Sequence, residues 1–191
     1  KFAILQVRPL MDESVDIDID LNEVDREKAV CISSKSLGNG VIENIRDVVY
    51  VHPARMNRMK TINLIPLIEE IDAGLRSEDR PYILIGPGRW GSSDPSLGIP
   101  VQWDQIMGAK TIVEVPMADI HVEPSQGTHF FQNIVTFNIG YLTILEGDFI
   151  DWEWLDAIEA ARDEGGLRHV RLDLPLKVVL DSRDSEAIVV R

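Results

Sequence analysis

The sequence predicts an α/β domain built on a mixed β-sheet with flanking helices. Three observations predict it. Short apolar runs bounded by turn signals recur along the chain, as in AVCIS, YILI and AKTIVEV. A helical apolar period separates two of them, with Ile62, Ile65, Ile68, Ile71 and Leu75 at spacings of three and four. Strand-like runs also gather at both ends, so strands and helices alternate only in the middle.

Taken in order, residues 2–7 (FAILQV) read as a strand closed by Pro9, which cannot donate to a ladder. Residues 11–27 combine dense carboxylates with isolated aliphatics and read as a solvated acidic linker, with an edge strand through VDIDIDL as the alternative. The run lacks the glycine and terminal glutamate of an EF-hand loop. A strand is expected at 29–33. Gly38, Asn39 and Gly40 mark a turn, and strands follow at 41–45 and 47–51. Residues 61–76 form the amphipathic helix, which leads into the strand at 82–85.

A short helix at 101–107 precedes a strand at 109–115. The stretch SQGTHFFQNIVTF then places Phe130, Ile134 and Phe137 at helical spacing, with Ser125 as the N-cap. A strand at 141–145 is followed by a helix at 151–161, which opens on Asp151 and has Gly165 and Gly166 beyond its end. Trp152 and Trp154, two apart, fall on different faces of that helix, one toward the core and one at a rim. VRLDL, LKVVLD and AIVVR complete a meander of strands. The organisation is thus a terminal strand in 1–10, a linker in 11–27 and one main domain in 28–191.

A chain of 191 residues supports one well-buried core. Its net charge of -13 argues against nucleic acid or an anionic membrane as partner, because phosphate binding needs concentrated Lys and Arg. Cys31 is the sole cysteine, so no intrachain disulfide forms and a reducing, cytoplasmic setting is expected. No stretch has the apolar length of a membrane span. The chain starts at Lys1, inside an apolar run and without a methionine, which suggests a piece of a longer protein.

Two stretches carry candidate chemistry. In PYILIGPGRWGSSDPSLGIP a strand feeds a loop whose Gly86, Gly88 and Gly91 fit G-x-G-x-x-G. A dinucleotide site also needs a helix N-terminus directly after the turn, and Asp94-Pro95 and Gly98-Ile99-Pro100 oppose one. No Lys-Ser or Lys-Thr follows, so it is no Walker A loop. Two readings stand. In one, Arg89, the hydroxyls of Ser92 and Ser93 and the amides around Gly86, Gly88 and Gly91 hold a small anionic ligand such as a phosphate. In the other, the loop is a structural corner pinned by Trp90, with Arg89 paired to an acid such as Asp94.

The second stretch is Ser125-Gln126-Gly127-Thr128-His129 at a helix start. An imidazole there has its charged form disfavoured, which suits His129 as a neutral base or nucleophile, while the following Phe130 and Phe131 suit a buried core histidine. His52, His121 and His169 show no paired metal-ligand spacing, and no metal site is assigned.

FAILQVRP resembles the strand, written L-Q-x-R-P, that closes the ATP-grasp domain of the phosphoenolpyruvate synthase and pyruvate phosphate dikinase family. In that family this glutamine and arginine face the nucleotide phosphates and metal. The resemblance implies nucleotide contacts for Gln6 and Arg8, ATP and magnesium as cofactors of the parent protein, and an upstream ATP-grasp domain of the same chain as partner. IGPGRWGSSDPSLGIPV, PSQGTHFFQN, DWEWL and HVRLDLPL are similar to the C-terminal region of bacterial proteins described as phosphoenolpyruvate synthase-like. The family's phosphohistidine motif, Gly-Gly-x-Thr-(Ser/Cys)-His-Ala-Ala, is echoed by Gly127-Thr128-His129, with the spacing one shorter and Phe130-Phe131 in place of Ala-Ala. The implied function is an ATP-dependent phosphotransferase in which His129 is a candidate phosphoacceptor. Since the swivelling domain and the pyruvate-binding barrel are missing, this chain alone is not expected to make phosphoenolpyruvate. The alternative is a non-catalytic regulatory or interaction module tethered to the kinase-like part.

Overall fold

The computed structural model describes residues 21, 24–56, 58–117 and 129–191. The strand expected at 2–7 and most of the acidic segment lie outside them. Near the linker's end, Asp25 accepts from the Glu27 amide and caps a short 3-10 turn, Arg26–Lys28, while Leu21 is buried.

Strand β1 is Ala29–Ser33 and β2 is Lys35–Leu37. Residues 41–51 form one strand rather than two, β3 at Gly40–Val51. Asn44 adopts φ 63, and the register against the partner strand shifts beside it. Asparagine tolerates this left-handed conformation, so the strand bends there and continues. Helix α1, Ile65–Ser77, begins later than the periodicity suggests, because Pro66 sits in its first turn and a 3-10 run, Arg58–Leu64, precedes it. Ile68, Ile71 and Leu75 form its buried face.

Strand β4 is Tyr82–Pro87. The glycine-rich stretch contributes two very short strands, β5 at Arg89–Trp90 and β6 at Gly98–Ile99, which pair with each other in parallel. The helix expected at 101–107 is a single 3-10 turn, Trp103–Gln105. Strand β7 is Ala109–Val115, α2 is His129–Thr136 and β8 is Gly140–Thr143. Ser125, the expected N-cap, lies outside the described residues.

The C-terminal part departs from expectation in two places. The helix predicted over 151–161 stops early: β9 at Phe149–Ile150 leads into α3 at Trp152–Ala157, and Ala160–Glu164 is strand β10. Asp151 does cap α3, accepting from the Trp154 amide at 2.9 Å. Residues 160–164 pair with β11, Leu167–Asp181, and pairing across a two-residue turn wins over helix extension. Gly165 and Gly166, at φ 64 and φ 92, form that hairpin turn rather than a helix end. The second departure is β11 itself, which runs through VRLDL and LKVVLD as one strand of 15 residues. Pro175 falls where its pairing with β3 is irregular, so the missing donor costs no regular ladder bond. Strand β12 is Glu186–Val190.

The sheet has ten strands in the order β2-β8-β7-β4-β3-β11-β12-β1-β9, with β10 on β11. Strands β3, β4, β7 and β8 run parallel, and the remaining pairs are antiparallel. Only Ser34 separates β1 from β2, so one bent segment pairs with β12 through β1 and with β8 through β2. The sheet thereby closes on itself. Its inner face collects Cys31, Val48, Ile83, Val113, Leu142, Val178 and Val189, with Leu155 of α3 packed in. The outer face of the parallel part is covered by α1, α2 and the glycine-rich stretch, which bury Val49, Leu84 and Ile112. Both faces of the parallel strands are therefore buried, and those strands read as continuous apolar runs. No helix among the described residues is long and apolar enough to cross a membrane.

Candidate functional site

The glycine-rich stretch leaves the carboxyl end of β4, the end of parallel strands at which α/β proteins place their ligands. Its local structure follows from Trp90, a large side chain buried to 1 % exposure in a loop of small residues. The indole lies across Gly86, so closely that a Cβ there would overlap the ring. Its Nε1 donates to the Val113 carbonyl at 3.4 Å. Gly88, at φ 69, lies against the backbone of Leu97 and Gly98, and Gly91, at φ 72, lies under the ring of Phe130. The three glycines are needed because neighbouring atoms already occupy the volume of a side chain.

The loop amides are engaged inside the protein. Gly88 N donates to the Val115 carbonyl at 2.9 Å, Gly91 N to the Ile99 carbonyl at 2.9 Å, and Trp90 N to Oε1 of Glu114 at 3.0 Å. Ser92 Oγ donates to the Asp94 carbonyl and accepts from the Asp94 amide, which makes a local turn. Ser93 is exposed. Asp94 accepts from both the amide and the hydroxyl of Ser96, and these bonds hold its carboxyl below the usual range. The acid that the sequence offers to Arg89 thus caps a turn. Arg89 is half-buried and has a partner of its own within the fold.

Helix α2 lies against the glycine-rich stretch. His129 is the first residue of α2, and the next residue, Phe130, covers Gly91 and meets Trp103 edge-on at 5.7 Å. Phe131 stands edge-on to Tyr141 at 5.8 Å. Residues 125–128 lie outside the described residues, as do Gln6, Arg8 and His121.

Beneath this junction sits Glu114, which the reading of the sequence passed over. Its side chain is 4 % exposed, with Oε1 taking the Trp90 amide and Oε2 accepting from the Tyr141 hydroxyl at 2.5 Å. A glutamate inside AKTIVEV was the available signal, because a parallel strand is buried on both faces and any charge in it needs a partner.

Cys31 is buried, and burial followed by Asp148 pushes its thiol well above the ordinary value, so it packs as an apolar group. Among the described residues, no group of three or more His, Cys, Asp or Glu stands where it could hold a metal ion. With Gln6 and Arg8 outside the described residues, no step through ATP or magnesium is assigned. No protein-family model, curated protein or solved structure matches the chain. The resemblance to the phosphoenolpyruvate synthase family therefore rests on the quoted motifs alone.

Proposed function

We propose that the chain belongs to a phosphoenolpyruvate synthase-like ATP-dependent phosphotransferase, and that its α/β domain is a non-catalytic regulatory or interaction module. The motif FAILQVRP supports the first part, with transfer from ATP falling to the upstream ATP-grasp domain. One observation carries the second: the amides of Gly88, Trp90 and Gly91 all donate within the protein, so the loop acts as a structural corner.

A specific observation favours a second reading. The glycine loop and the first turn of α2 meet at the carboxyl end of β4, and a helix start attracts anions. A phosphate or carboxylate there would rely on the Arg89 side chain and the α2 amides, and the resemblance makes His129, the first residue of α2, the candidate phosphoacceptor.

Calorimetric titration of the 191-residue chain with inorganic phosphate and with phosphoenolpyruvate separates the two. The module reading expects no saturable heat. Saturable binding that disappears in Arg89→Ala overturns it and supports the anion site. For the parent protein, transfer of phosphate from ATP to pyruvate that is lost in Arg8→Ala is the expected result, and a full-length protein that consumes no ATP removes the phosphotransferase assignment.

A further inference from the structure

A cleft of about 280 Å³ opens at the carboxyl ends of three parallel strands. His52 follows the last residue of β3, Pro87 ends β4, and Met117 lies two residues beyond β7. Met56, together with Trp152 at the start of α3, closes the sides. This is the end of a parallel sheet at which ligands collect, on the inner side of the glycine corner.

The walls are unusually uniform in chemistry. Two thioethers, two prolines and an indole line the cleft, and no carboxylate, ammonium or guanidinium does among the described residues. Among the described lining side chains the polar groups are the His52 imidazole and the Trp152 indole N–H, and a hydrogen bond orients the imidazole. Its Nδ1 accepts from the Ala54 amide at 3.0 Å, which places the proton of the neutral ring on Nε2. The ring meets the Trp152 indole at 4.5 Å, and that indole also contacts Tyr50 at 6.0 Å. Tyr50 is fixed in turn by its hydroxyl, which lies 3.0 Å from the Leu155 carbonyl and 2.9 Å from Asp156 in α3. The aromatic wall is thus preorganised, and ligand binding would not have to order it.

We propose that this cleft binds a neutral, planar heteroaromatic small molecule, its face against Trp152 and the methionine sulfurs and an edge acceptor on His52 Nε2–H. Flat π-systems match an indole and thioethers better than branched aliphatic groups do. With no charged side chain among the described lining residues, a charged ligand would lose its hydration without a counter-charge on the walls. The volume lies just below the roughly 300–1,000 Å³ of drug-sized sites, which restricts the buried part to one or two fused rings. The site goes beyond the module reading and stands without it.

Quinoline and naphthalene serve as probes, being alike in shape and differing in one acceptor nitrogen. NMR titration of the intact chain, with methionine methyls and histidine nitrogens labelled, reads the site directly. Quinoline is expected to shift the Met56 and Met117 methyls and the His52 ring saturably, and naphthalene to bind about five- to tenfold more weakly, the equivalent of one neutral hydrogen bond. His52→Asn keeps a side-chain acceptor for the Ala54 amide while removing Nε2, and should bring quinoline down to the naphthalene level. Trp152→Leu should abolish both. Three results overturn the proposal: no saturable shift at those methyls, shifts centred elsewhere, or quinoline binding unchanged by His52→Asn.

Discussion

Asp47 shows what a single buried charge requires in this fold. It is 1 % exposed in β3, with Arg80 Nε at 3.0 Å from one oxygen, and Arg80 Nη2 at 2.5 Å and His169 Nε2 at 2.8 Å from the other. Burial pushes its carboxyl up, but the bonds from His169 and Arg80 outweigh burial and hold it below the ordinary value. A carboxyl depressed in the folded state adds stability that is fully present above its unfolded pKa, about 3.9, and is lost as the pH falls through the folded value. Urea midpoints are therefore expected to be level for this group above about pH 5 and to fall below it. Asp47→Asn should be less stable at neutral pH and show a shallower acid dependence. A variant with the same acid slope as the parent chain would detach Asp47 from that loss. DVVYV announces a charge at the edge of an apolar run, but Arg80 and His169 stand 33 and 122 residues away and cannot be paired with it from the sequence.

At the scale of elements, the glycine-rich stretch is the clearest case of a feature legible in one dimension and ambiguous in its use. Its glycines mark a tight turn whether they face a ligand or a side chain. What decides is Trp90, which folds back over Gly86, and the crossing of β5 with β6 at Gly98. A Cβ on Gly98 would fall on the backbone of Arg89, which has no rotamer through which to yield. Gly98→Ala should lower stability by about 3 kcal/mol, the upper part of the overpacking range, in urea unfolding of the intact chain. A loss of a few tenths would mean that the corner is loose enough to open to a ligand. Helix α3 teaches a related lesson. DWEWLDAIEAA has a sound N-cap and no internal breaker, yet 160–164 become a strand because β11 offers a partner and the glycine pair allows the turn. Helix and strand preferences differ by less than a ladder of backbone bonds decides.

For the molecule as a whole, closure of the sheet is the organising fact. The seam lies where β1 passes into β2: the Ser33 hydroxyl sits 2.8 Å from the Thr143 carbonyl of β8, and the Ser36 amide donates to the Ser185 carbonyl at 2.7 Å. Ser33 is fully buried, so its removal exposes an unmet acceptor inside the core. Ser33→Ala should cost about 1–2 kcal/mol and speed amide exchange in β2 and β8 ahead of the β3–β4 pair. Uniform acceleration throughout the sheet would show that the seam has no weakness of its own.

By itself the sequence determined the local alternation of apolar runs and turns, and hence the α/β class and most element positions. β1 and β7 fall at the residues read for them, and the cap of α3 at Asp151 does too. These are decided by side-chain period and by neighbours within a few residues, which a sequence displays. Only the tertiary structure decided that the sheet closes, that 160–164 pair as a strand, that Glu114 lies beneath the loop and that His52, Pro87, Met117 and Trp152 share one cleft. All but the 160–164 hairpin depend on contacts between residues tens of positions apart, and that hairpin needs β11 to be held in place by β3. Their energy comes from desolvation and pairing that exist only once the chain has folded.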